Sequence, residues 1–357
     1  VIPALMRAVL LRGHGDYDQL EYREDVPVPK PAAGEVLVRV AAAGVNNTDV
    51  NTRIGWYSKT VTAATAQTDA KSGAAAEDGG WTGAPFGFPR VQGADACGRI
   101  VAVGSGVDAA RIGERVLVDP VLRPRDGGLE DVAYLGADRD GAFAEFVTVP
   151  AGNVHGIASE WSDVELAAVP CSWSAAENML TRAGVTRGET VLVTGASGGV
   201  GSAVVQLARR RLARVIAQTA TDKAEGIRAL GAAEVVPRDA DLLARFGSES
   251  VDAIIDVVGG PQFPLLLELL RRGGRYAVAG AIAGPVVELD LRTLYLKDLR
   301  LLGCTVTEPE IFRNLIGYIE RGEVRPVVSA TFPLREIAAA QREFLRKGHL
   351  GKIVLVP

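Results

Sequence analysis

VLVTGASGGVGSAVVQLA, residues 191–208, decides the fold. An apolar run enters a turn that lacks bulky side chains, and a helical pattern leaves it. Ala196, Gly198 and Gly201 stand at the glycine positions of the Gly-x-Gly-x-x-Gly dinucleotide fingerprint, with alanine in the first. Such a turn lets a pyrophosphate approach the backbone, where the N–H groups and positive end of the helix face the anion. Ser197, Gly199 and Val200 complete the cradle. A glycine-rich turn without a ligand is the plainer alternative. The strand before it and the helix after it favour dinucleotide binding.

The same rhythm continues on either side. VDAIIDVVGG, RRGGRYAVAG and DLRLLGCTV read as short buried strands separated by helical segments. Alternating strands and helices predict an α/β fold with a doubly wound parallel sheet, and such sheets bind ligands at the strand ends. Val258, Gly280 and Ala281 are therefore placed beside the cofactor. The front of the chain is different: MRAVLLRGHG, EVLVRVAAAG, GRIVAVGSG and AFAEFVTVP predict a β-rich domain. After two more helical runs the tail ends in a strand, KIVLVP. The expected organisation is a β-rich catalytic domain from residues 1–155 and 309–357 around a dinucleotide domain at 156–308. A long loop, 58–89, rich in small and polar residues, is inserted in the first.

The second strand of the nucleotide domain, RVIAQTATDKAE, indicates which nucleotide. NAD-binding versions place an acid at its end. Here Gln218, Thr219, Ala220 and Thr221 occupy that place. A carboxylate would repel a 2′-phosphate, whereas Thr219, Thr221, Lys223 and, beyond the next strand, Arg238 could receive one. NADP(H) is the expected cofactor, although Asp222 leaves NAD open.

Bulk properties narrow the class. The 357 residues are 48% hydrophobic and 23% charged, with a formal net charge of −4 and no dense basic block. Nucleic acid and membrane are not expected partners. Cys97, Cys171 and Cys304 form neither a disulfide framework nor a Cys-x-x-Cys pattern, which points to a reducing, cytoplasmic setting. His14, His155 and His349 show no ligand spacing and read as surface or loop histidines.

Together these segments resemble the medium-chain dehydrogenase/reductase superfamily over nearly the whole chain. TGASGGVG, VDAIIDVVGG, GRYAVAG and GKIVLVP resemble its zinc-independent quinone oxidoreductase branch. The resemblance implies a GroES-like catalytic domain and a homodimer. Zinc-dependent relatives carry cysteine where this chain has Asn46, and Gly-His-Glu where it has Gly93, Ala94 and Asp95. Cys171 alone cannot build an open metal site, so no metal is expected. In GVNNTDVNTRIGWY, residues 44–57, the spacing of Asn46, Asp49, Arg53, Gly55 and Tyr57 resembles that branch. It implies that Asn46 and Tyr57 line the cleft near the nicotinamide, while Asp49 and Arg53 hold the segment in shape. Asn51, off the pattern, is expected to tune the substrate. Ser174 and Lys352 are expected beside the cofactor.

The expected reaction is hydride transfer to a small molecule, a quinone, enal or enone, whose carbonyl oxygen takes up the negative charge. Asn46 and Tyr57 are the expected hydrogen-bond donors to it, with Tyr57 or a water delivering the proton. A zinc-type alcohol dehydrogenase with a degenerate site and a weakly catalytic nucleotide-binding protein stay open as alternatives.

Overall fold

A computed structural model describes residues 1–68, 78–81, 86–123 and 131–357. The dinucleotide fingerprint sits at the centre of a six-stranded parallel sheet. The strand order is Glu234–Val236, Arg214–Gln218, Thr190–Val193, Val251–Asp256, Leu270–Val278, Arg300–Gly303. The glycine loop therefore emerges where the strand order reverses, the place such sheets use for ligands. Val191, Leu192 and Val193 are all buried, as a central strand covered on both faces requires. The helix after the loop, Gly199–Arg210, buries Val204, Val205, Leu207 and Ala208. Arg209 and Arg210 in its last turn complement the helix dipole.

The β-rich part contains a seven-stranded sheet. Its long strand Glu35–Gly44 pairs with Cys97–Val103, with Phe146–Pro150 and with the closing strand Lys352–Val356. The closing strand also pairs in parallel with Val328–Pro333, an element the sequence did not suggest. That strand is short and half-exposed, with Val328, Ala330 and Phe332 on its more covered face and Ser329, Thr331 and Pro333 on the other. Just before the closing strand, the Gly351 N–H donates to the Ser197 carbonyl at 2.8 Å, tying it to the glycine loop. Of the long segment 58–89, the described parts contain one short 3-10 turn, Thr65–Gln67; residues 69–77 and 82–85 lie outside the described residues.

The polar stretch after Gly44 opens with a helix. Asn47–Arg53 is a helix whose residues from Asp49 to Arg53 are buried. The Asp49 carboxylate accepts the Asn46 N–H at 2.7 Å and so fixes the helix start. The Arg53 guanidinium donates to the Gly15 carbonyl and to the Gln341 side chain, 288 positions away.

Candidate active site

Two adjoining cavities lie between the sheets. One, of about 430 Å³, is lined by the loop residues Ser197 to Gly201, by Val258 and by Gln218, Arg238, Lys347 and His349. The other, of about 340 Å³, is lined by Asn46, Thr48, Asn51, Tyr57, Tyr134 and Cys171 on one side and by Ser174, Gly280, Ala281 and Lys352 on the other. Asn47, Gly199, Val200 and Phe344 border both, so the cavities form one cleft.

The first cavity has the form of a dinucleotide cradle. A Cβ on Gly198 would meet nothing closer than 3.6 Å, so the turn is open to a ligand there. A Cβ on Gly201 would lie 2.3 Å from the Gly195 carbonyl oxygen, so this glycine instead lets the helix press onto the strand. Ala196 is buried beneath the loop.

At the far wall is a group of cations. The Lys347 ammonium donates to the Asn47 side chain at 3.0 Å and lies 3.8 Å from the Phe344 ring centre. Burial, with Lys223 and Arg238 nearby, pushes Lys347 down to about 7. His349 is pushed down to about 4 by burial and by the neighbouring lysines, and its Nδ1 is buried without a partner among the described residues. Arg238 is held by its carbonyl, which accepts from the Gln218 and Gln262 amides at 3.1 and 3.0 Å. The positive charge of Arg238 and Lys347, beside a buried ring nitrogen without a partner among the described residues, fits an anionic ligand.

Thr219, Thr221 and Lys223 do not line this cavity. Thr219 is buried with its hydroxyl unpartnered among the described residues, and Lys223 donates to the Lys347 carbonyl at 2.5 Å, supporting that turn. Lys347 and His349 went unrecognised in the sequence. The signal available was a Lys-Gly-His run one residue before the Gly-Lys at the start of the closing strand; Lys347 adopts the left-handed conformation at φ 54°. His349 is thus not a surface histidine; it is buried against the cleft.

The second cavity holds a closed electrostatic network. The Lys352 ammonium lies 2.7 Å from Asp95 Oδ2 and 2.5 Å from Asn46 Oδ1. Asn46 Nδ2 donates to Asp95 Oδ2 at 2.9 Å and to the Gly44 carbonyl at 3.3 Å. Asp95 Oδ1 accepts the Cys171 N–H at 2.6 Å. A Cβ on Gly44 would come within 2.3 Å of Asp95 Oδ2, so only glycine admits the network. This geometry corrects the role expected of Asn46: its amide protons are already engaged, and it positions Lys352 and Asp95 without a proton to offer a substrate. Ser174 is similar. Its hydroxyl proton goes to the Cys171 carbonyl at 3.0 Å, leaving lone pairs for the cleft.

Tyr57 keeps its place in the wall, beside the Thr48 and Asn51 side chains. Burial pushes its hydroxyl up to about 12, so it stays neutral and protonated near pH 7. Asn51 accepts from the Thr65 hydroxyl at 3.2 Å. That contact ties the helix to the segment that donates from Thr65 N–H to the Ile282 carbonyl at 3.1 Å. Asp49 beneath is pushed up to about 7 by burial.

Residues 32–159 match the family described as alcohol dehydrogenase GroES-like domain, and residues 199–321 the family described as zinc-binding dehydrogenase. A solved structure of a putative alcohol dehydrogenase from Sinorhizobium meliloti 1021 superimposes with a TM-score of 0.89 at 47% identity, covering 100% of this chain and 98% of that one. Among curated relatives, acryloyl-coenzyme A reductase of Metallosphaera sedula is 29% identical, covering 98% of this chain and 99% of its own. The quinone oxidoreductase of Lama guanicoe is 28% identical, covering 99% and 98%. The chain belongs to the medium-chain dehydrogenase/reductase superfamily. Within it, its place is the quinone oxidoreductase branch, and it is an oxidoreductase.

Proposed function

We propose that this protein is a metal-independent, NADPH-dependent reductase of quinones or α,β-unsaturated carbonyl compounds. The observation that carries the proposal is the Asn46–Lys352–Asp95 network: an ammonium stands between the side chains that replace metal ligands in zinc-dependent relatives. The donors present are an amide, a carboxylate already paired with a lysine, and a single thiol that burial pushes up to about 12. That set does not fit a three-ligand zinc site.

The first cavity fits the cofactor. Gly198 to Gly201 would hold the pyrophosphate, while Lys347, His349 and Arg238 would take negative charge, which favours NADPH over NADH. Bound cofactor would supply the hydride. The chain's part is to orient the acceptor and stabilise charge on its carbonyl oxygen, and Tyr57 has the hydroxyl for that. Because Tyr57 holds its proton so firmly, it serves as a hydrogen-bond donor, and water delivers the proton that completes reduction. An NADPH-oxidation screen with quinones, enals and enones, run with and without chelator, tests this. Turnover unaffected by chelation is expected; activity lost with chelator and restored by zinc would refute it.

We also propose a homodimer through the sheet edge at Arg300–Gly303. Leu291, Tyr295 and Leu296 on the neighbouring helix are 63%, 62% and 56% exposed, and that helix buries no residue within the chain. Sedimentation velocity should give a dimer that Leu301→Asp converts to monomer; a monomeric native protein would exclude it.

A further inference from the structure

The Tyr134 phenol lines the reaction cavity and takes no part in the chemistry described so far. It sits on a two-stranded ribbon, where Tyr134 pairs with Val121. Its position is fixed from three sides. Its backbone N–H donates to the Asp138 carboxylate at 2.8 Å, and the N–H of Leu135 donates to the Pro120 carbonyl at 2.9 Å. The Trp81 ring stacks on its own, with centroids 4.5 Å apart and planes 23° from parallel. A phenol held this rigidly loses little freedom when a ligand arrives.

Its hydroxyl is buried, and its hydrogen bond goes to the Cys171 sulfur at 3.1 Å. A thiol sulfur is a weak acceptor. The bond satisfies the buried O–H without binding it strongly, so exchange for a carbonyl oxygen bearing negative charge is favourable. The Tyr57 hydroxyl is close enough to interact electrostatically with both Tyr134 and Cys171. The two phenols and the thiol thus converge on the cavity that also receives Ser174, Gly280 and Ala281 from the cofactor side.

We propose that Tyr134 is a catalytic hydrogen-bond donor that shares the acceptor's carbonyl oxygen with Tyr57, and that Cys171 is the partner it releases when substrate enters. This rests on the reductase activity proposed above. As hydride reaches the acceptor carbon, the displaced electron pair moves to the carbonyl oxygen, and two neutral O–H groups bond to it. Neither phenol loses its proton; the proton that completes reduction comes from water. Paired donors suit an oxygen with two lone pairs better than Tyr57 alone.

The test compares wild type, Tyr134→Phe, Tyr57→Phe and Cys171→Ala, with NADPH and two probes, 1,4-benzoquinone and 2-cyclohexenone. NADPH affinity by fluorescence titration and thermal melting are read on each. Tyr134→Phe should lower kcat by about a hundredfold, the lower end of the range for loss of one oxyanion donor, with NADPH affinity and melting nearly unchanged. Cys171→Ala, which removes the resting partner and leaves both phenols, should lower kcat less than Tyr134→Phe does. Retention of wild-type kcat by Tyr134→Phe overturns the proposal, as does a loss in Cys171→Ala equal to that in Tyr134→Phe. A wild-type protein that reduces neither probe overturns the reductase reading and the donor pair with it. A wild type that turns over while Tyr134→Phe matches it overturns the donor pair alone.

Discussion

The two ends of the cleft hold their charges in opposite ways. At the reaction end, Lys352, Asp95 and Asn46 satisfy one another, and the buried ammonium faces a buried carboxylate at 2.7 Å. At the cofactor end, Lys347 is buried with Lys223 and Arg238 for neighbours, and His349 has an unpartnered nitrogen. One end is complete in itself and the other is completed by a ligand. A buried charge with a partner supports the fold, whereas a buried charge among like charges is held against its own preference until an anion arrives. Two lysines in the same short segment therefore have opposite relations to stability.

Substitution of each should separate them. The largest effect is expected from Lys352→Met, which leaves Asp95 buried and unpaired at a cost of about 3–5 kcal/mol. Thermal or denaturant unfolding would measure it, and the double variant Lys352→Met/Asp95→Asn should recover most of the loss. Equal instability of the single and double variants would mean that the pair is not what Lys352 supplies.

Lys347→Met should leave the stability of the unliganded protein unchanged or raised, because it removes repulsion. NADPH affinity should fall by about ten- to a hundredfold, the value of one charge-assisted hydrogen bond. The same lysine sets a pH dependence. Its folded, unliganded pKa lies at about 7, below the ordinary 10.5, so above pH 7 it is neutral. Bound anion favours the ammonium, so binding takes up a proton and affinity should fall by up to about tenfold per pH unit as pH rises above 7. For the unliganded fold the sign is opposite. The unfolded lysine is protonated up to 10.5 while the folded one is not, so stability falls as pH drops from 10.5 towards 7. Calorimetric NADPH titrations from pH 6.5 to 9 on wild type and Lys347→Met check the first, and denaturant unfolding of the unliganded proteins over the same range checks the second; a slope that survives the substitution would reassign the proton.

How much of this was legible in the sequence follows from chain distance. The glycine loop, its strand and its helix are contiguous, so fold and cofactor class could be read from one stretch. Tyr57 and Asn46 were legible through their spacing in a single segment. The network around Asn46 was not, because its partners lie 49 and 306 positions away. Only folding shows that Asn46 has no proton to spare and that Tyr134 shares a cavity with Tyr57. The residues expected at a 2′-phosphate show a related difficulty. Thr219 and Thr221 follow the strand in sequence, but the turn carries them off the lining of the first cavity, where Lys347, His349 and Arg238 stand.

The bond from Gly351 to Ser197 has a temporal consequence. Synthesis produces the glycine loop some 150 positions before the residue that fastens it, and Asn46 earlier still. Loops of that length close late, after local helices and strands have formed. Secondary structure should therefore return during refolding well before catalytic competence, and a partly built chain can possess a nucleotide fold without yet possessing a reaction centre. In that sense the closing strand is the clasp of the molecule: it is what turns two folded regions into one enzyme.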